Sequence, residues 1–204
     1  MNAKLSSASV EHFTPEPYVA AARFTLGHIA LDPASCASAN EVVRAEQIFT
    51  EADDGLSKPW EGPVFLNPPG GRAERKYYDV KSNSNAVLWW AKLINEWNRT
   101  GITVFGRYDT KWSAIFVGFS LEILQAAQAP GVKRQPLDFP VCIPSKRIKF
   151  EKMFPPFEDC CGRIRVPGDQ PTHGNVIVCV TSELEVARRF ATAFSKFGYV
   201  RGVR

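Results

Sequence analysis

Short apolar runs broken by polar turns alternate with helical periodicities along the chain, and that alternation sets the expected architecture. His28-Ile29-Ala30-Leu31 is the first strand candidate and stops at Asp32-Pro33. Residues 38–46 can close a short helix, Gln47-Ile48-Phe49-Thr50 reads as a second strand, and Asp53-Asp54-Gly55 as a turn. Pro63-Val64-Phe65-Leu66 is apolar throughout and halts at Asn67-Pro68-Pro69, as a strand buried on both faces does. The stretch 70–85 is too hydrophilic and irregular for core. Beyond it Ala86, Trp90, Leu93, Ile94 and Trp97 recur at three- and four-residue spacing up to Gly101, which marks an amphipathic helix. Ile102-Thr103-Val104-Phe105 reads as a strand, 110–127 as helix, and 139–143, 147–150 and 175–180 as further strands. A capping box of Ser182 and Glu185 opens a last helix, with Leu184, Ala187, Ala191 and Phe194 as its buried stripe and Gly198 at its stop.

Strands alternating with helices predict an α/β domain with a mostly parallel sheet and helices on both faces. The strand-rich segment 139–180 adds a mixed or antiparallel edge. Ligands of such sheets bind outside the carboxyl ends of the strands. Asp32, Asn67 and Arg107 each follow a predicted strand and are expected on one rim.

Composition narrows this picture. With 204 residues, 45% of them hydrophobic, the chain suits one domain over 12–204, after a small, polar and flexible terminus at 1–11. A formal charge of +4 permits nucleic-acid binding without requiring it. The five cysteines (36, 142, 160, 161, 179) show no C-x-x-C pair, and His12, His28 and His173 stand far apart, so no metal site is expected. Without a signal peptide or an apolar run of membrane length, the expected location is the cytoplasm, with reduced thiols and no membrane partner.

The sharpest chemical signal is Leu66-Asn67-Pro68-Pro69. A proline pair can serve as a plain strand terminator. It also suits a specific chemistry. An exocyclic base amine is a poor nucleophile because its lone pair is delocalised into the ring. The Asn67 side-chain carbonyl and the Pro68 backbone carbonyl can both accept its hydrogen bonds, drawing the nitrogen toward tetrahedral geometry. The prolines fix their own φ and hold Asn67 extended, so both acceptors stand ready before a substrate arrives. Asp32, in Asp32-Pro33-Ala34-Ser35, is a strand-end carboxylate suited to the ammonium of an amino-acid-like cofactor, or it begins a turn. Asp53 and Asp54 can accept ribose hydroxyls or a cofactor's adenine amine, or form a solvated turn. Phe13-Thr14-Pro15 can fold back so that the Thr14 hydroxyl meets a cofactor.

The order Thr14-Pro15, Asp32-Pro33-Ala34-Ser35, Asp54-Gly55-Leu56, Trp60 and Asn67-Pro68-Pro69 resembles the phage and prophage DNA adenine-N6 methyltransferases (Dam-like). The likeness continues through Asp109-Thr110-Lys111-Trp112, Arg147-Ile148-Lys149-Phe150 and His173-Gly174-Asn175-Val176-Ile177-Val178 and covers roughly 12–181. It implies a Rossmann-like S-adenosylmethionine-dependent methyltransferase fold, S-adenosylmethionine as methyl donor and adenine in DNA as acceptor; the expected DNA is double-stranded, with the base flipped out or else presented single-stranded. It implies a host-cell cytoplasmic location if the chain is phage-encoded. Asn67, Pro68, Pro69 and Gly70 would then be catalytic, and Phe13, Thr14, Pro15, Asp32, Pro33, Ala34, Ser35, Asp53 and Asp54 would bind cofactor. The sequence departs from that family at Gly70, where an aromatic residue commonly stacks on the base; Tyr77, Tyr78 or Trp89 is the candidate substitute. It also lacks glycine in Ser35-Cys36-Ala37-Ser38, where methyltransferases often carry a glycine-rich turn.

Candidate phosphate contacts are Arg72, Arg75 and Lys76, interleaved with Tyr77 and Tyr78 in a base-facing lid, then Lys146, Arg147 and Lys149, and Arg163 with Arg165. Each set is otherwise a solvated charge run. The alternatives to the DNA adenine enzyme are methylation of cytosine N4, RNA adenine or protein glutamine, and a non-catalytic nucleic-acid-binding module with a degenerate methyltransferase fold.

Overall fold

The computed structural model describes residues 12–73, 77, 79–104, 107–109, 112–153, 165–167 and 173–202. Among them seven strands form one mixed sheet: β1 (Leu31–Asp32), β2 (Gln47–Ile48), β3 (Val64–Leu66), β6 (Ala114–Gly118), β7 (Val141–Pro144), β10 (Val176–Val180) and β11 (Gly198–Arg201). The spatial order is β11-β7-β10-β6-β3-β1-β2. The pairs β1–β2, β1–β3 and β3–β6 are parallel; β10 runs antiparallel to both β6 and β7, and β11 antiparallel to β7. This is an α/β fold, parallel in the sheet's first four strands and antiparallel beyond β6. Two separate two-stranded ribbons pair β4 (Ile102–Val104) with β5 (Arg107–Asp109), and β8 (Glu151–Met153) with β9 (Arg165–Pro167).

The sheet is covered on both faces because its strands alternate. Val64, Leu66, Ala114, Phe116, Val176, Val178 and Val180 join one apolar cluster with helix α3 (Asn85–Thr100) and α4 (Ile123–Ala126). Phe65, Ile115, Val117, Ile177 and Cys179 join the other, with α1 (Glu16–Leu26), α2 (Ala37–Val43) and α5 (Leu184–Phe194). Period-two side-chain direction therefore splits each strand between two cores.

Chain path follows from these faces. From β1 the chain crosses through α2 to β2 on one side. From β3 it crosses through α3 to β6 on the other, over the opposite face. The direction of winding thus reverses between β1 and β3, which opens a crevice at their carboxyl ends.

Several expectations need correcting. Residues 114–118 are a strand at the sheet's centre, not helix, and the helical turn that follows is only Ile123–Ala126. Arg107 therefore does not follow a strand of the main sheet; it starts β5 in a separate ribbon. Residues 147–150 are not a strand; pairing resumes at Glu151. The capping box of Ser182 and Glu185 does not form, since Glu183 is the N-cap and its amide donates to Thr181 Oγ1 at 3.1 Å. The buried stripe of α5 is Val186, Ala187, Phe190, Ala193 and Phe194, leaving Leu184 exposed. Gly198 does not act as a stop for that helix: it begins β11, where a Cβ would meet the Ile143 carbonyl oxygen at 2.1 Å.

Candidate functional site

β1, β2, β3 and β6 end on one rim. Because β10 is antiparallel to both β6 and β7, β7 ends there too, and the approach to β10 starts there. Asp32, Asn67, Phe119, residues 145–150 and Asn175 consequently converge on this rim from five places in the chain.

Asn67 is held by a bond the sequence gives no hint of. Its side-chain amide donates from Nδ2 to the His12 carbonyl at 2.8 Å. A carbonyl can pair only with the NH2 end of the amide, so the bond fixes which way the group faces. Oδ1 is left as an acceptor, with no donor to it among the described residues. The 12–14 segment is clamped in turn: Phe13 and Glu151 exchange backbone hydrogen bonds of 2.8 and 2.9 Å. Asn175, buried at 2% exposure, closes the circuit by accepting from Ile148 N at 2.7 Å and donating to the Phe119 carbonyl at 2.6 Å. The motifs at 147–150 and 173–178 thus act as braces that hold His12, and through it Asn67.

On the other side of the crevice Asp32 is 3% exposed, with no ion pair to it among the described residues. Burial pushes its carboxyl up to about 7; the Ser35 hydroxyl nearby and the Ala34 amide, at 3.3 Å, pull the other way. The Ser35 hydroxyl does not reach hydrogen-bond geometry, and like the Thr14 hydroxyl it is buried without a partner. Orphaned buried hydroxyls are uncommon, because each costs about 1–3 kcal/mol in lost solvation. The Ser35 hydroxyl lies beside the buried Asp32 carboxylate, so this strand end holds a polar recess with hydrogen-bonding capacity unused among the described residues.

Next to that recess lies an open depression of about 520 Å³ lined by Ser35, Cys36, Thr50, Glu51 and Ala52. Cys36 is the N-cap of α2, its Sγ accepting from Ala39 N at 3.4 Å. Neither Asp53 nor Asp54 lines the depression. The Asp53 carboxylate accepts from the Thr50 amide (2.9 Å) and hydroxyl (2.7 Å), which hold it below the usual carboxylate range, and lies 3.8 Å from Lys58. It caps a 3-10 turn over Glu51–Asp53. Asp54 sits in the left-handed region at φ 55°. Glu51, which sequence reasoning passed over, is the acid facing the depression; its place directly after the 47–50 run was the available signal.

The strand-end motifs are locked by contacts of their own. Gly55 packs so closely that a Cβ there would lie 2.1 Å from the Pro33 carbonyl oxygen. Trp60 is fully buried, with its indole N–H on the Gly55 carbonyl at 2.8 Å and its backbone amide on Glu96 at 3.2 Å. Glu96 also pairs with buried Lys92 and with Arg99 at 2.7 Å, which hold its carboxyl below the usual range against the effect of burial. Helix α3 thereby grips the loop that carries Gly55 against Pro33.

After the prolines, the Gly70 carbonyl accepts from Asn85 Nδ2 at 3.0 Å, and the Gly71 carbonyl from Asn85 N at 3.2 Å. Arg72 bridges Ser84, and Tyr77 bridges Val80. Tyr77 is buried, as is Val80, in the α3-side core, and Trp89 is buried with its ring stacked 6.0 Å from Trp60. Tyr77 therefore does not face a base from a lid, and Trp89 does not replace a ring at position 70. Arg75, Lys76, Tyr78 and Arg163 lie outside the described residues, as do Cys160 and Cys161; of Arg165 only the backbone is described.

Lys146, Arg147 and Lys149 are exposed on the rim, while the intervening Ile148 and Phe150 are buried. Among the described residues no cluster of His, Cys, Asp or Glu is placed to hold a metal, and no helix is long and apolar enough to cross a membrane. Comparison of the chain with known protein families, with curated proteins and with solved structures finds no match.

Proposed function

We propose that the chain transfers a methyl group from S-adenosylmethionine to the N6 amine of adenine in DNA. The observation that carries this reading is the anchored Asn67 amide after β3, whose Oδ1 has no donor among the described residues, with the buried Asp32 at the end of β1 across the winding reversal. When bound, S-adenosylmethionine supplies an electrophilic methyl on a sulfonium.

The residues present fit that donor. Asp32 suits its ammonium, the partnerless hydroxyls of Thr14 and Ser35 suit its carboxylate or amine, and Glu51 suits the vicinal hydroxyls of a ribose in the depression. Phe13, Pro15, Pro33 and Ala34 would supply apolar and backbone contacts to the same donor. Asn67 Oδ1 and the Pro68 carbonyl accept the two protons of the amine, and the rigid Pro68-Pro69 pair keeps their spacing. Positioning and preorganised dipoles supply the rate enhancement. A Rossmann-like class of fold is supported by the parallel half of the sheet and by the crevice at its winding reversal. Lys146, Arg147 and Lys149, with Arg72, suit the phosphates flanking a flipped base.

The test is transfer of labelled methyl from S-adenosylmethionine to unmodified DNA, with nucleoside digestion of the product. The expected result is N6-methyladenine from the wild type and a loss of about 100-fold or more in Asn67→Ala, as for removal of a preorganised polar group. Transfer to RNA or protein but not DNA would reassign the substrate. Absence of cofactor binding would leave the non-catalytic module, which Gly70 favours.

A further inference from the structure

A planar base drawn out of a helix needs a π-face as well as hydrogen bonds at its edge. Position 70 supplies none, and Tyr77 and Trp89 are committed to the core. Among the described residues an aromatic group adjoins Asn67 through His12. His12, whose carbonyl anchors Asn67, is exposed, and its ring lies 5.4 Å from Phe119 at an interplanar angle of 34°. Phe119 in turn lies 5.4 Å from buried Phe150, and His12 meets Phe150 edge-on at 6.3 Å. The three rings form a triangular cluster of tilted and edge-on contacts, with Phe150 in the core, Phe119 half-buried and His12 exposed. Phe119 follows β6, which pairs with β3 in the register Leu66 with Phe116, so Phe119 is level with the proline pair.

We propose that the His12 imidazole, backed by Phe119 and Phe150, is the shelf on which the target base stacks while Asn67 and Pro68 hold its amine. This assignment rests on the base-methylating reading above. One residue would then do both jobs: its carbonyl orients the Asn67 amide and its ring carries the base. The two jobs are separable, because substitution of the side chain leaves the carbonyl in place.

The experiment measures kcat and KM for unmodified DNA, with thermal midpoint and cofactor affinity as controls, in wild type, His12→Ala, His12→Phe and the double variant His12→Ala with Gly70→Phe. The double variant is feasible because a Cβ at Gly70 meets nothing within 4 Å. His12→Ala is expected to raise KM for DNA roughly 5- to 150-fold, the equivalent of one lost base stack, with midpoint and cofactor affinity unchanged. His12→Phe is expected to restore KM, and a ring supplied at position 70 to restore much of it. A KM within twofold of wild type in His12→Ala, or a loss that neither ring restores, would overturn the shelf while leaving methyl transfer intact. No transfer by the wild type would overturn both readings.

Discussion

At the scale of single residues the most consequential feature is a carboxylate buried at the rim. Asp32 ends β1 there, and burial pushes its carboxyl up to about 7 with no cation among the described residues to offset the cost. In the free protein the raised value favours the protonated form. Its contribution to stability is present in full below about pH 4 and is lost as pH rises toward 7. Ligand binding runs the other way, since an ammonium needs the ionised carboxylate. S-adenosylmethionine affinity is expected to rise about tenfold per pH unit below 7, and to fall again once an α-ammonium deprotonates, near pH 8. Calorimetric titration between about pH 5.5 and 9 would trace this bell. Asp32→Asn should weaken binding and abolish the acid limb alone, because an amide does not titrate. A wild-type profile that stays flat through pH 7 would remove Asp32 from the cofactor site.

At the scale of elements, the rim depends on loops that touch each other more than on the strands they leave. Gly55 is the clearest case, since no other residue fits beneath the Pro33 carbonyl. Gly55→Ala is expected to cost about 1–3 kcal/mol of stability, as overpacking does, and to weaken cofactor binding by displacing Pro33 and with it Asp32. Denaturant unfolding alongside cofactor titration would check it; unchanged affinity would mean that the two loops are not coupled. The elements themselves were unevenly legible. β3 and α3 could be read because a short apolar run ended in prolines and a long stretch kept helical period. β6 could not: Ala114-Ile115-Phe116-Val117-Gly118 is buried on both faces, and an unbroken apolar run carries no period to separate strand from helix. Tyr77 and Val80 were hidden by polar neighbours in a stretch that reads as loop. The site divides the same way. Asp32 and Asn67 announce themselves by ending strands, whereas His12 reaches Asn67 across 55 positions, and Asn175 reaches Phe119 across 56. Contacts that span such distances are made by the fold and leave no local pattern.

At the scale of the whole molecule, direction in the sheet decides which charges can act together. The net charge of +4 is modest, so binding to a polyanion depends on where the positive groups stand. Because β7 ends on the same rim as β3, exposed Lys146 and Lys149 lie on Asn67's side of the sheet. Arg201 ends β11, opposite Val141 at the start of β7, and so lies at the other rim with comparable exposure. This contrast supplies a control for charge that the sequence alone could not. If the carboxyl rim faces DNA, each lysine neutralises a phosphate, and the double variant Lys146→Ala with Lys149→Ala should flatten the dependence of log affinity on log salt by about 1.8. Arg201→Ala should leave the slope unchanged while altering net charge in the same sense. Affinities by fluorescence anisotropy across a range of salt concentrations would measure both. Equal flattening in the rim and far-side variants would point to a diffuse field without a defined face, and no flattening in either would move the nucleic acid away from this rim. The expected asymmetry follows from topology: β10 runs against both of its neighbours, and that alone turns the 145–150 segment and its lysines toward the edge that carries Asn67.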